Sequence, residues 1–348
     1  MICRMSLMLE EISQQPEALA RTIAGEQGKI AKLGATLRGR DIDLIVLVAR
    51  GSSDNAALFG RYLLELTAGI PVSLAAPSVY TMYGRSLRLN RALVIGVSQS
   101  GEGQDINHVL ESARKSGAFT IGITNEPTSS IVDFSDEVLL MHGGPERSVA
   151  ATKTYTGQML LFYMLAAQLS GNGQAPDFNI IPEHTARALE QQSTVAELVR
   201  RYVFMENCVV IGRGLNYANS YELALKLMET CYVVAERFSS ADFLHGPLAM
   251  VERHFPIIMF APPGRVLASA TELMNRLVEL RADTLVITAD ERIAGMATVA
   301  IRMPAEIDEI LSPVPYIVPG QLFAALLAQS KGLDPDKPRS LSKVTRTL

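Results

Sequence analysis

Glu222, Lys226 and Glu229 stand at i, i+4 and i+7 in YELALKLMET (Tyr221–Thr230), a spacing that puts two carboxylates and an amine on one face of a helix. Such a stripe is often no more than a solvated salt bridge. Here the flanking residues are apolar and a buried strand is expected directly after it, so these charges read as enclosed, suited to moving a proton to and from a bound molecule. A second candidate is VSQSGEGQ (Val97–Gln104), where the apolar run ALVIG ends in two hydroxyls, an amide and two glycines just as a helical pattern starts. Ser98, Gln99 and Ser100 are neutral donors, and Gly101 and Gly103 let the backbone come close to a ligand. A helix N-terminus adds unpaired N–H groups and roughly half a unit of positive charge, which suits phosphate. By itself the loop describes a capped helix behind a glycine turn equally well.

Two neighbouring stretches favour the ligand. RGSSDN (Arg50–Asn55) places Ser52 and Ser53 after the first apolar run, and ERSVAATKTYTGQ (Glu146–Gln158) follows the fifth. Hydroxyl-rich turns at three strand ends make a polar cup that fits a phosphorylated polyol. The chain has neither the GxxxxGKS of a nucleotide-triphosphate loop nor the GxGxxG of a dinucleotide fold, so no cofactor is expected. His245, in SSADFLHGPLAM, precedes a rigid Gly-Pro turn; a lone histidine is more often a satisfied loop residue than a catalyst. Lys343, close to the C-terminus, reads on its own as a solvated lysine.

The elements that must position these residues form a repeat. LIVLVA (Leu44–Ala49), PVSLAA (Pro71–Ala76), ALVIGV (Ala92–Val97), FTIGIT (Phe119–Thr124) and EVLLM (Glu137–Met141) are continuously apolar, as buried parallel strands are. NCVVIG (Asn207–Gly212), CYVVAE (Cys231–Glu236), FPIIMF (Phe255–Phe260), TLVITA (Thr284–Ala289) and TVAIRM (Thr298–Met303) repeat the series about 160 to 165 residues later. Helical patterns alternate with the runs, which predicts an α/β chain of two tandem doubly wound parallel sheets, flavodoxin-like in kind. The expected domains are 1–180 and 181–348, joined near the Gly-, Asn- and Pro-rich Ser170–His184, with a helical run from Thr185 to about Tyr202 leading into the second copy. After its third strand the second copy has Ala261-Pro262-Pro263-Gly264 and no hydroxyl, so only the first copy is equipped for a ligand.

Composition narrows the class of protein. The 348 residues are 48% hydrophobic and 20% charged, with a formal net charge of −4, which gives no basic field for nucleic acid. The N-terminus turns acidic within its first residues and lacks the form of a signal peptide, and no apolar run reaches the roughly 20 residues of a membrane span. Cys3, Cys208 and Cys231 show no CxxC, and the five histidines (His108, His142, His184, His245 and His254) lack metal-ligand spacing. A cytoplasmic protein with reduced thiols and no metal is expected.

SQSGE, VAATKTYT, LALKLMET and HGPLAM, with the terminal DPDKPRSLSKVT, resemble the sugar isomerase (SIS) domains, in particular the isomerase halves of glucosamine-6-phosphate synthases. The first motif is general to SIS domains; the five in order are specific. The resemblance implies that Glu229 moves a proton between C1 and C2 of a sugar with Lys226 beside it. It also implies that His245 assists ring opening from a neighbouring subunit in a homodimer, and that Lys343 forms a Schiff base with the open ketose from a tail that closes over the site. Ser52, Ser53, Ser98, Gln99, Ser100, Gly103, Val149 and Ala151 become the expected substrate and phosphate contacts. The chain departs from the pattern at Gly103 (a threonine in the synthases), Ala151 (a serine) and Arg50 (a small thiol), so the sugar it takes can differ. Only 43 residues precede the first strand, too few for a glutaminase domain, and glutamine hydrolysis within the chain is not expected. The expected reaction is deamination and isomerisation of an aldosamine-6-phosphate, with glucosamine-6-phosphate the leading substrate. The alternatives are an ammonia-dependent or glutaminase-partnered synthase, an enzyme cleaving an amino-acid adduct of a 6-phosphosugar, and a non-catalytic phosphosugar sensor.

Overall fold

A computed structural model describes residues 6–170, 176–304 and 307–343; Cys3 lies outside them. Ten strands form two five-stranded sheets. The first holds β1 (Leu44–Val48), β2 (Val72–Leu74), β3 (Ala92–Val97), β4 (Phe119–Thr124) and β5 (Glu137–Leu140) in the order β2-β1-β3-β4-β5. The second holds β6 (Asn207–Gly212), β7 (Val234–Ser239), β8 (Pro256–Ala261), β9 (Asp283–Thr288) and β10 (Val299–Arg302) in the order β10-β9-β8-β6-β7, the same sequence of strands read from the other edge. Every pairing is parallel, as continuous apolar runs buried on both faces require. All six residues of β3, β4, β8 and β9 are buried. From β1 the chain crosses to β2 on one side, whereas β3 lies on the other, so the carboxyl ends of β1 and β3 border the crevice where open sheets of this kind bind ligands.

The second copy departs from its expected strands at one edge. CYVVAE is not a strand from Cys231. The helix Tyr217–Lys226 runs on as a single π-helical turn, Leu227–Cys231, which ends at Tyr232 in the left-handed conformation (φ 55°). Strand β7 starts only at Val234 and continues to Ser239. In the first copy the second strand keeps just Val72–Leu74 of PVSLAA, being hemmed in by Pro71 and Pro77.

The chain also divides differently from a simple cut at residue 180. One compact unit, around the first sheet, takes in Glu17–Glu146 and Lys153–Asn179 together with Ser342 and Lys343. The other, around the second sheet, takes in the described residues up to Pro16, Arg147–Thr152 and Ile180–Leu341. Polar contacts within the second-sheet unit explain the exchange. The helix Leu7–Ser13 presents its free N-terminal amides to Asp336, with Leu7 and Met8 N–H each 2.8 Å from a carboxylate oxygen. Glu11 accepts from the backbone N–H groups of Arg147 and Ser148, and Gln15 donates to Gln321 at 2.8 Å.

Gln321 lies in the helix Pro313–Ser330, a run without a charged residue that is buried almost throughout and forms the axis of its unit. Among the described residues no helix is long and apolar enough to cross a membrane. Cys208 and Cys231 are free and buried; burial pushes both thiols up, that of Cys231 to about 11, so neither is a nucleophile near neutral pH.

Gly212, the last residue of β6, turns toward the helix that follows so closely that a Cβ would overlap the backbone carbonyl of Asn216. Backbone cannot yield as a side-chain tip does. Gly212→Ala should therefore cost about 1 to 3 kcal/mol, the range for overpacking, read as a lowered midpoint of urea unfolding. An unchanged midpoint would show that the turn has slack.

Candidate functional site

Strand β3 ends at Val97 and the loop Ser98–Gly103 leads into the helix Gln104–Lys115. The loop is fixed from both sides. Ser98 N–H donates to the carbonyl of Ile123, Asn125 N–H to that of Gln99, and Ile131 N–H to that of Gly101. The carboxylate of Glu102 accepts from the backbone N–H of Ser130 (3.0 Å) and from its hydroxyl (2.9 Å). Gly101 is left-handed (φ 67°), and a Cβ there would overlap the Ser129 hydroxyl, so both conformation and space demand glycine. The Ser98 hydroxyl accepts from Gly101 N–H and that of Ser100 from Glu102 N–H. Each oxygen is thus held by the loop while its own proton stays available to donate.

Two helices begin at the β1/β3 crevice on glycines that supply no side-chain cap. Gly51 precedes Ser52–Ala68, and Gly103 precedes Gln104–Lys115. The first N–H groups of a helix have no backbone acceptor in a preceding turn; here the Ile106 N–H is taken by the Asp105 carboxylate at 2.9 Å. Ser52 is half-buried, and the buried Ser53 accepts from the Gln158 amide at 2.9 Å. A cleft of about 410 Å³ beside the loop is lined by Gln99, Ser100, Glu126, Ser129, Glu146 and Lys343, among others. Lys343, from the last described residues, points its ammonium at the buried Glu146 carboxylate, 3.2 Å away. Glu146 also accepts from Thr154, whose N–H is at 3.1 Å and hydroxyl at 2.6 Å, and so holds the start of the helix Lys153–Leu169.

Two site residues escaped the sequence reading. Glu146 opens a stretch already singled out for its hydroxyls, but nothing in that stretch foretells a lysine 197 residues away. Asp105, in the first turn of Gln104–Lys115, is buried and takes the Arg50 guanidinium at 2.7 Å. Val149 and Ala151 lie half-buried in Arg147–Thr152, which groups with the second-sheet unit rather than with the loop Ser98–Gly103.

At the corresponding place of the second sheet the chain brings in a carboxylate of its own. Between the turn after β6 (Gly214) and the turn after β8 (Gly264) lies the Glu309 carboxylate. It accepts from Arg265 N–H just ahead of the helix Leu267–Glu279. In both sheets the chain thus brings a carboxylate of its own to the helix start, Asp105 in the first and Glu309 in the second.

The second-sheet unit carries the Glu222–Lys226–Glu229 group. Lys226 is 1% exposed and lies 2.6 Å from Glu229 and 3.5 Å from Glu222. Glu222 is fully buried, whereas the side chain of Glu229 is 21% exposed. The reason is the π turn. A straight α-helix would keep all three on one stripe, but the wider turn begins at Leu227 and re-aims Glu229 toward solvent while its carboxylate stays on the ammonium. Such an arrangement can hold a carboxylate ready to take and return a proton at an accessible point. His245 follows the short helix Ser240–Leu244 and is exposed, beside Gly246 at φ 143°. No hydrogen bond from its ring is present among the described residues.

The SIS domain family matches residues 40–168 and 205–329. Glutamine–fructose-6-phosphate aminotransferase (isomerizing) of Methanothermobacter thermautotrophicus is 35% identical over 340 residues, covering 97% of this chain and 56% of the relative. The protein of the same name from Gloeobacter violaceus is 37% identical over 355 residues, covering 97% and 58%. The chain thus spans a little over half the length of these relatives. Among solved structures, the C-terminal domain of glucosamine-fructose-6-phosphate aminotransferase from Francisella tularensis matches with a TM-score of 0.87 at 27% identity, over 95% of this chain and 98% of that one. Glucosamine-6-phosphate deaminase from Thermotoga maritima matches with a TM-score of 0.81 over 98% and 100%, at 24% identity, a likeness of fold.

Lys226 is the cation between two carboxylates, one of them wholly buried. Lys226→Met should destabilise the protein by about 3 to 5 kcal/mol, and adding Glu222→Gln should recover most of that loss in urea unfolding. A single variant as stable as the parent would mean that the charges are not mutually dependent.

Proposed function

The chain belongs to the SIS domain family, and from that premise we propose that it converts an aldosamine-6-phosphate, glucosamine-6-phosphate foremost, to the ketose-6-phosphate and ammonia. One observation carries this reading: the lysine able to form an imine, Lys343, lines the same cleft as the hydroxyl loop that suits a phosphate. In the proposed sequence the phosphate rests on Ser98, Gln99 and Ser100, with Ser52 and Ser53 nearby and the open helix amides behind them. Gly103 lets the backbone approach, and Val149 and Ala151 serve the sugar through their backbone. The partner subunit's His245 helps open the ring, in keeping with its exposure and unengaged ring, so the working form is a homodimer. Glu229, held by Lys226, removes the proton from C2 and returns it to C1. The C1 oxygen takes up a proton as the nitrogen gives one up, so C1 becomes a primary alcohol and the amine carbon an imine. The Lys343 nitrogen adds to C2, ammonia leaves, and water hydrolyses the new imine to release the ketose. Water is the only co-reactant, and atoms balance: aldosamine phosphate plus water gives ketose phosphate plus ammonia.

The names of the similar aminotransferases favour a second reading, in which the same groups add ammonia to fructose-6-phosphate. Assaying ammonia and ketose-6-phosphate release across a panel of amino-sugar phosphates, and the reverse with fructose-6-phosphate and ammonium, separates the two. We expect release from glucosamine-6-phosphate at a kcat above about 1 s⁻¹, within the usual enzyme range. Turnover only toward synthesis would select the second reading. Turnover only with amino-acid adducts, or tight binding of phosphosugars without turnover of any, would overturn both.

A further inference from the structure

The turn that would take the phosphate has a charge in an awkward place. Asp105 is 1% exposed and sits in the first turn of Gln104–Lys115, one residue after the helix start. One of its oxygens accepts from Ile106 N–H at 2.9 Å. A dianion brought to this helix N-terminus meets a buried carboxylate at short range, and in a poorly solvated site that repulsion is strong. Something must offset it.

The Arg50 guanidinium does so. Arg50 directly follows β1, on the other side of the β1/β3 crevice, and its Nε donates to the second Asp105 oxygen at 2.7 Å. That bond uses one of five donors. The side chain is 52% exposed, and its two terminal nitrogens have no hydrogen-bond partner among the described residues. Asp54, in the first turn of Ser52–Ala68, also feels it: burial raises that carboxyl and the Arg50 charge opposes the rise. So a guanidinium is anchored at its neck by a buried carboxylate, with its outward fork free at the carboxyl ends of β1 and β3. Gly103, at the helix start itself, offers no side-chain donor.

We infer that Arg50 is a specificity-determining ligand of the phosphate: Asp105 orients it, and its free Nη groups bind the dianion as a fork. A planar fork fits two phosphate oxygens at once, which an ammonium cannot do. The assignment rests on the phosphosugar reading of this site and adds to it the residue that separates phosphorylated from neutral sugars.

The test must divide ligand from counter-ion, since removing Arg50 alone strands a buried charge. Dissociation constants are measured by calorimetry for glucosamine-6-phosphate, glucosamine and inorganic phosphate, on the parent, Asp105→Asn, Arg50→Met/Asp105→Asn and Arg50→Lys. Relative to Asp105→Asn, the double variant should bind glucosamine-6-phosphate and phosphate about 10- to 100-fold more weakly, as expected for a lost bond to a charged group, with glucosamine unaffected. Arg50→Lys keeps the charge, so it should fold as the parent does and still lose about 3- to 10-fold, because it cannot fork. If the double variant and Arg50→Lys bind phosphate as well as their references, Arg50 is only the counter-ion of Asp105 and the inference falls while the phosphosugar reading stands. If the parent itself shows no preference for the phosphorylated sugar, both fall.

Discussion

At Gly101 nothing larger than hydrogen fits. The residue is left-handed, and the Ser129 hydroxyl occupies the place of its missing Cβ. That close approach lets the loop after β3 bond to the residues after β4 through Gln99, Gly101 and Glu102, and so presents the Ser98 and Ser100 hydroxyls in one fixed arrangement. A loop already ordered loses little entropy when a ligand arrives, which is where a binding site gains over a flexible turn. The helix behind it, the cleft beside it and the Arg50–Asp105 pair across from it all take their positions from this turn.

The two copies of the fold treat this turn differently. They share strand order and parallel pairing, yet the corresponding turns differ: the second is met by the Glu309 carboxylate, whereas the first carries the Arg50–Asp105 pair. A helix N-terminus attracts an anion in either case. The candidate groups are divided between the units: the hydroxyl loop and Lys343 belong to the first-sheet unit, and Glu222, Lys226, Glu229 and His245 to the second.

Much of this was legible in the residues. Buried parallel strands announce themselves as apolar runs, so the repeat and its sheets could be read directly, and the hydroxyl loop and the Glu–Lys–Glu spacing carry their chemistry in their residue types. The rest depends on contacts remote in sequence or on local geometry without a code. Nothing near Cys231 signals that its helix widens into a π turn and delays β7 to Val234. Glu11 reaches backbone amides 136 and 137 residues away, which moves a whole helix into the other unit. Pro313–Ser330 has no polar stripe because neighbours surround it, and so lacks the period that marks an amphipathic helix. Arg50 and Asp105 are 55 residues apart, and only the topology of β1 and β3 makes them partners.

In the reaction proposed above, Glu229 moves a proton between C1 and C2 of a phosphorylated sugar. Solvent deuterium entering recovered fructose-6-phosphate or glucosamine-6-phosphate, followed by proton NMR in D2O, reads that step without regard to net direction. The account predicts exchange at C1 or C2 with the parent protein and a loss of about 100-fold or more with Glu229→Gln, the contribution of a positioned base. Exchange at the parent rate in Glu229→Gln, or none in the parent with either sugar, would contradict it.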